Sequence, residues 1–268
     1  MIGCDCDTCR SSDPRDKRLR SSIYIQTPEC SFVVDTGTDF RTQALRENIR
    51  RVDAVVFTHS HTDHIMGFDD LRRLAYARGY MPVYASVETM RDLARVYEFA
   101  FKALNPFPGY LKPEPHVIDG PFELGSTIIT PLPVPHGGAI VNGYLFSRPR
   151  PNMDLQSGRP APKAVAAESG IAPVPPTGEK LVAYLSDCSS VPDPIVELIT
   201  GVRILIIDAL REKPHPTHLS VEQALAVAER VRPGETYFTH IAHELPQSAE
   251  SRLPSRTRIA YDGLKLHL

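Results

Sequence analysis

Short runs of β-branched and aromatic residues recur along the chain, each closed by Gly, Pro, Asp or Ser. Such runs suit a pleated, half-buried surface and predict strands. They fall at 22–26 (Ser-Ile-Tyr-Ile-Gln), 31–35 (Ser-Phe-Val-Val-Asp), 52–57, 82–85, 127–132, 141–146, 181–186, 202–207 and 235–239. Apolar positions at helical spacing predict helices over about 63–78, 86–104, 193–199 and 220–231. The last opens on Ser220-Val221-Glu222-Gln223, a capping-box start, and stops at Pro233-Gly234. Near the end, Asp262-Gly263 between apolar positions predicts a type I′ hairpin over 259–266. Several strands precede the first helix, so a regular βαβ alternation is excluded. An α+β layout, or two sheets covered by helices, fits the order.

One stretch breaks the pattern. Residues 147–180 carry Pro149, Pro151, Pro160, Pro162, Pro173, Pro175 and Pro176 with little apolar periodicity, which predicts a flexible surface insertion. At 268 residues the chain can bury one sizeable core, as one large domain or two small ones. A net charge of −2 lacks the basic footprint of a nucleic-acid binder, so no nucleic-acid partner is expected. No apolar run is long enough to span a bilayer, so no membrane partner is expected either. The opening Met1-Ile2-Gly3-Cys4-Asp5-Cys6 lacks the basic and apolar regions of a signal peptide, and we expect a soluble, cytoplasmic protein. The cysteines are Cys4, Cys6, Cys9, Cys30 and Cys188, and an odd count with three inside six residues argues against a disulfide scaffold.

The chemistry concentrates in Thr58-His59-Ser60-His61-Thr62-Asp63-His64, directly after the apolar run 52–57. Imidazoles and a carboxylate are ligands for zinc, manganese or iron, and a strand end gathers several on one loop. The plain alternative is a solvated polar turn. Three further donors stand where predicted strands stop: His136 in Pro135-His136-Gly137, Asp187 in Ser186-Asp187 and His240 in Thr239-His240. Singly each is an ordinary capping or surface residue; together they supply what a hydrolytic metal centre needs beyond one loop. Cys4, Cys6 and Cys9 are one donor short of the closed tetrahedral shell of a structural zinc. On chemistry alone, Cys30 and His243 compete to complete it. Cys188, beside Asp187, is expected to be structural but could line the pocket.

This ordered set resembles the metallo-β-lactamase superfamily over nearly the whole chain. The resemblance implies an αββα sandwich and one domain over 1–268, with metals at one edge. It implies that His59, His61 and His136 hold one divalent ion (zinc or manganese), that Asp63, His64 and His240 hold the other, and that Asp187 bridges them. Gly3-Cys4-Asp5-Cys6-Asp7-Thr8-Cys9, the segment Asp13 to Ser22 with Arg18-Leu19-Arg20-Ser21-Ser22, and Thr239-His240-Ile241-Ala242-His243-Glu244 are similar to the PhnP-type cyclic phosphodiesterases. That narrower likeness implies a structural zinc on Cys4, Cys6, Cys9 and His243. Two features depart from it: relatives begin with an extra strand and a Gly-Thr-Gly-rich turn, and the Pro-rich segment is longer than usual. The first departure implies either a missing strand or a start placed late.

Two cations about 3.5–4 Å apart can share a hydroxide and clamp both oxygens of an in-line displacement. The expected function is therefore hydrolysis of a small phosphodiester by a dinuclear metal-bridged hydroxide, with Asp63 and His218 as catalytic residues; the PhnP-type likeness implies that a cyclic diester is among the candidates. The resemblance places His218, in His215-Pro216-Thr217-His218 before a capped helix, at the substrate phosphate, where an imidazole near neutrality could serve as acid. The alternatives are another ester, in RNA 3′-end processing or a lactone, and a non-catalytic PqqB-like role. Lack of a basic exosite arm disfavours RNA, and a complete set of seven ligands disfavours a binding-only protein. A homodimer is compatible with all of these.

Overall fold

The computed structural model describes residues 1–102, 107, 109–149 and 178–268. Twelve strands and eight helices follow one another among these residues. They are α1 (Asp7–Arg10), β1 (Ile23–Gln26), β2 (Ser31–Val34), α2 (Phe40–Arg46), β3 (Ala54–Val56), α3 (Thr62–Ile65), α4 (Arg72–Ala75), β4 (Met81–Ala85), α5 (Val87–Val96) and α6 (Glu98–Phe101). Then come β5 (Pro113–Val117), β6 (Phe122–Leu124), β7 (Thr127–His136), β8 (Ala139–Pro149), β9 (Gly178–Leu185), α7 (Asp193–Ile199), β10 (Ile204–Asp208), α8 (Val221–Val231), β11 (Glu235–Thr239) and β12 (Thr257–Ile259).

The strands make two sheets, ordered β1-β2-β3-β4-β5 and β12-β11-β10-β9-β8-β7-β6. In the first, only β1 and β2 are antiparallel. In the second, β6 to β9 form an antiparallel meander and β9 to β12 run parallel. Side chains alternate across each strand, so each sheet has two apolar faces to cover. Phe32, Val34 and Val56 of one sheet meet Tyr144, Phe146, Tyr184 and Ile206 of the other in the central layer. Val33, Val55, Phe57 and Val83 point the other way, under Leu71, Met90 and Leu93. Leu145, Ala183, Leu205 and Ile207 pack under Ile195, Ile199, Ala224 and Val227 of α7 and α8. The result is the αββα sandwich, with helices outside both sheets.

The structure corrects several boundaries. The helix expected over 63–78 breaks into α3, a 3-10 turn at Phe68–Leu71 and α4. The cause is Gly67, where a Cβ would come within 2.2 Å of the Gly37 carbonyl oxygen, and whose N–H donates to Thr36 O instead of continuing the helix. The helix expected over 86–104 is interrupted at Tyr97, between α5 and α6, where the tyrosine hydroxyl donates to the Ile65 carbonyl at 2.8 Å; 103 and 104 lie outside the described residues. The terminal hairpin does not form. A turn closes at Asp262-Gly263, where Leu264 N–H donates to the Tyr261 carbonyl at 3.1 Å, but the flanking residues do not pair with each other: β12 pairs parallel with β11, and the Asp262 carboxylate accepts from Leu19 N–H and Arg46. Residues 147–149 and 178–180 of the expected insertion lie in β8 and β9, so that segment is shorter at both ends; 150–177 lie outside the described residues. Strands β5 and β6 were not expected. β5 carries Pro113 and Pro115 and sits at a sheet edge, where proline is tolerated. No helix among the described residues is long and apolar enough to cross a membrane.

Candidate metal centre

Strand ends build the site. The chain leaves β3 through Phe57 and Thr58, and the loop then presents His59, His61, Asp63 and His64. His59 Nε2 and His61 Nδ1 approach to 3.0 Å. His136, the last residue of β7, joins them, so that one donor atom from each of the three lies within 4.8 Å of the others. Asp63, His64 and His240 form a second such group, and Asp187 a third with His59 and His64. Asp187 stands between the two sides: Oδ1 is 3.2 Å from His64 Nε2, while Oδ2 is 3.3 Å from His240 Nε2 and 3.8 Å from His136 Nε2.

The outer ring nitrogens are held by the protein. His59 Nδ1 meets Thr58 Oγ1 at 2.9 Å, and His136 Nδ1 meets the Thr217 carbonyl, also at 2.9 Å. His64 Nδ1 lies 2.8 Å from Asp35 Oδ2, and Asp35 also accepts from the Thr58 N–H and hydroxyl. Fixing the far nitrogen orients the near one and sets its tautomer. Asp35 is fully buried with φ +61, and His240 has φ +55, two strained non-glycine residues at one site.

The donor set fits divalent cations. His64 Nε2 and Asp187 Oδ1 are buried without a hydrogen-bond partner, a cost that a ligated ion removes. Burial pushes His59 and His136 down, keeping those imidazoles neutral as ligation requires. Burial alone would raise Asp187, but His240 and His64 hold it well below the usual carboxylate range.

His218 stands beside this set. Its Nδ1 is 2.8 Å from Asp208 Oδ2, its ring stacks on His240 at 4.7 Å, and with His136 and Asp187 it makes a further close group. Sequence reasoning expected an imidazole near neutrality. Burial instead pushes His218 down to about 4 and Asp208 well above the carboxylate range. Burial thus works against charge on both partners of this contact. His218, Thr217, His136 and Gly137–Ala139 line an open pocket of about 460 Å³ with His61, Asp63, Asp187 and His240. His215 contacts Thr217 within the loop instead.

Asp35 and Asp208 escaped the sequence reasoning. Both end apolar strands, the same signal that picked out Asp187. Cys188 is fully buried in the α7–α8 core, its N–H donating to Asp208, and does not line the pocket.

Away from the pocket, Cys4, Cys6, Cys9 and His243 form a compact group, with Cys4 Sγ and Cys6 Sγ at 3.5 and 3.4 Å from His243 Nδ1. The hydrogen bond from His243 lowers the Cys6 thiol to about 6, toward the thiolate that metals bind. Cys30 packs elsewhere, with Phe32 and Leu124 between the sheets, and does not compete for this position.

The model of the Beta-lactamase superfamily domain matches residues 31–241. The crystal structure of a new diphosphatase from the PhnP family is 38% identical, with a TM-score of 0.81, over 99% of this chain and 90% of that one. An octanoyltransferase of Porphyromonas gingivalis is 31% identical over 98% of this chain but 48% of its own, so the chain spans about half the length of that relative. Zn(2+)-bound PqqB from Methylobacterium extorquens is 19% identical with a TM-score of 0.68, covering 100% of this chain and 95% of that one, a likeness of fold. A family match over residues 31–241, and a PhnP-family relative 38% identical along nearly all of both chains, show that this chain belongs to the metallo-β-lactamase superfamily and is PhnP-like within it.

Proposed function

We propose that the chain is a phosphodiesterase acting on a small, cyclic phosphodiester. The observation that carries this reading is the Asp187 carboxylate set between His59, His61 and His136 on one side and Asp63, His64 and His240 on the other, at the floor of an open pocket. These residues would hold two divalent cations, zinc or manganese, which when bound neutralise phosphate charge and activate water for attack. Asp63 would ligate from the loop, and it faces the pocket beside His240. The chain's own acid is His218. Asp208 fixes its ring through Nδ1, and as the P–O bond breaks the Nε2 proton passes to the leaving oxygen while the proton of the Asp208 carboxyl moves to Nδ1. The Cys4, Cys6, Cys9 and His243 group would hold a structural zinc, three thiolates and one imidazole closing a tetrahedral shell.

The PhnP-family relative is a diphosphatase, which makes a diphosphate link the second bond class to assay. The test is purified protein loaded with zinc or manganese and assayed on bis(p-nitrophenyl) phosphate and on a diphosphate diester, with metal content measured alongside. Turnover of the first with two pocket ions bound supports the reading. Full metal with turnover of neither overturns it.

A further inference from the structure

The segment Arg18 to Ser22, singled out in the sequence, is only partly used by the site described above. It is fastened on several sides. Arg18 donates to the Leu245 carbonyl at 3.1 Å and to Gln247 Oε1 at 2.9 Å. Leu19 N–H donates to the Asp262 carboxylate, and Ser22 Oγ donates to the Asp35 carbonyl at 2.9 Å. Arg20 is held by its backbone at both ends: its N–H donates to Asp39 Oδ2 at 3.0 Å, and its carbonyl accepts from Gln43 Nε2 at 2.7 Å. Gly37 packs against it so closely that a Cβ there would lie 3.1 Å from Arg20 Cβ and 2.0 Å from the Asp63 carbonyl oxygen. Strand end, Arg20 and metal loop therefore share one tight junction.

The Arg20 guanidinium is the exception. Its side chain is 57% exposed, and its nearest acid is Asp63, with Nη1 3.7 Å from Oδ2. That distance exceeds hydrogen-bond reach, and among the described residues the guanidinium donates no hydrogen bond. An exposed ion pair of this kind contributes little to stability. Five donors on a fixed backbone, beside a pocket acid, suit recognition of an anion instead, since the planar fork matches phosphate or carboxylate geometry. Arg20 is not among the pocket-lining residues, but its Nη1 is 3.7 Å from Oδ2 of Asp63, which is, so the guanidinium lies next to the pocket on the Asp63 side. A group that it grips therefore lies outside the lining that surrounds the phosphate.

We propose that Arg20 selects substrates, gripping a second anionic group carried by the diester outside the metal pocket. The inference rests on the phosphodiesterase reading. It is tested with two probes that share a scissile bond and leaving group: the p-nitrophenyl ester of thymidine 5′-phosphate with the 3′ position either free hydroxyl or phosphate. Arg20→Gln should reduce the preference for the 3′-phosphate, expressed as the ratio of kcat/KM values, by at least about tenfold, mainly through KM; a hydrogen bond to a charged group is of that strength. Arg20→Lys should recover part of it. Metal content should be unchanged in both variants. Equal losses on the two probes, loss of metal, or an unchanged ratio would overturn the assignment. Calorimetric binding of thymidine 3′,5′-bisphosphate against thymidine 5′-phosphate, on metal-loaded protein, decides the role of Arg20 without turnover. If neither diester is cleaved but bisphosphate binding still depends on Arg20, the reaction is misassigned and the anion grip stands; if binding is independent of Arg20, the grip fails.

Discussion

Buried carboxylates do two different jobs at this site, separated by what each oxygen faces. Asp187 turns Oδ1 toward His64 and Oδ2 toward His240 and, farther off, His136 and His59, whereas Asp35 and Asp208 each hold one ring from behind. Asp187→Asn should keep the fold and lose at least one pocket ion, because a neutral amide bridges two cations poorly; elemental analysis of a variant retaining both ions and full activity would sink the bridging assignment. His218→Ala should keep its metal and fold while lowering kcat on an alkyl phosphodiester roughly a hundredfold, the scale of a lost general acid. The loss should shrink on p-nitrophenyl esters, whose leaving group scarcely needs a proton. Asp208→Asn should give a smaller loss of the same sign, since it acts through His218. The residues that gather at the pocket were legible because their spacing and strand-end positions are written along the chain. Asp35 and Asp208 were not, because their role is set by a partner 29 and 10 residues away that only folding brings near.

At the scale of elements, local signals read correctly and non-local ones did not. The start of α8 is an instance of the first. Ser220 Oγ accepts from Gln223 N–H, and the Gln223 side chain accepts from Ser220 N–H. Both halves of that box lie within four residues, so the sequence shows it. Ser220→Ala removes one half, at a cost of about 1 kcal/mol, and should lower Tm by roughly 2–4 °C in a chain of this size. Because α8 follows directly on His218, kcat on alkyl esters should fall in the same variant while metal content holds; thermal melts and a metal assay check both. The split of the expected 63–78 helix is an instance of the second kind. Gly67 looks like a tolerable helix glycine until Gly37 and Phe40 are seen to leave no room for a side chain there. β5 is similar: prolines argue against a strand, and only its place beside β4 at a sheet edge makes them acceptable.

Across the whole molecule, the two ends of the described chain clasp each other. Arg18 reaches Leu245 and Gln247, Gln247 N–H donates to Asp16 at 2.7 Å, and Leu19 N–H is taken by Asp262. The cysteine group belongs to this clasp, since Cys4 and Cys6 meet His243 across 239 and 237 positions. His243 in turn lies three residues beyond His240, so closing the terminal group steadies the turn that delivers a pocket imidazole. The motif Cys-x-Cys-x-x-Cys was visible in the sequence, but its long-range partner was reached there only by family resemblance. A zinc held by four protein ligands binds the native state and not the open chain, and its binding free energy adds to folding. Cys6→Ser and His243→Ala should each lose zinc from this group and, with free zinc at about a hundred times its Kd, about 3 kcal/mol of stability, a Tm drop of roughly 6–12 °C. Added zinc should raise the Tm of the stripped wild-type chain but not of either variant. Turnover per folded molecule, measured well below the melting range, should change far less than after Asp187→Asn, because none of Cys4, Cys6, Cys9 and His243 lines the pocket. A variant that loses the zinc yet melts with the wild type would show that Arg18, Asp16 and Asp262 hold the ends together unaided.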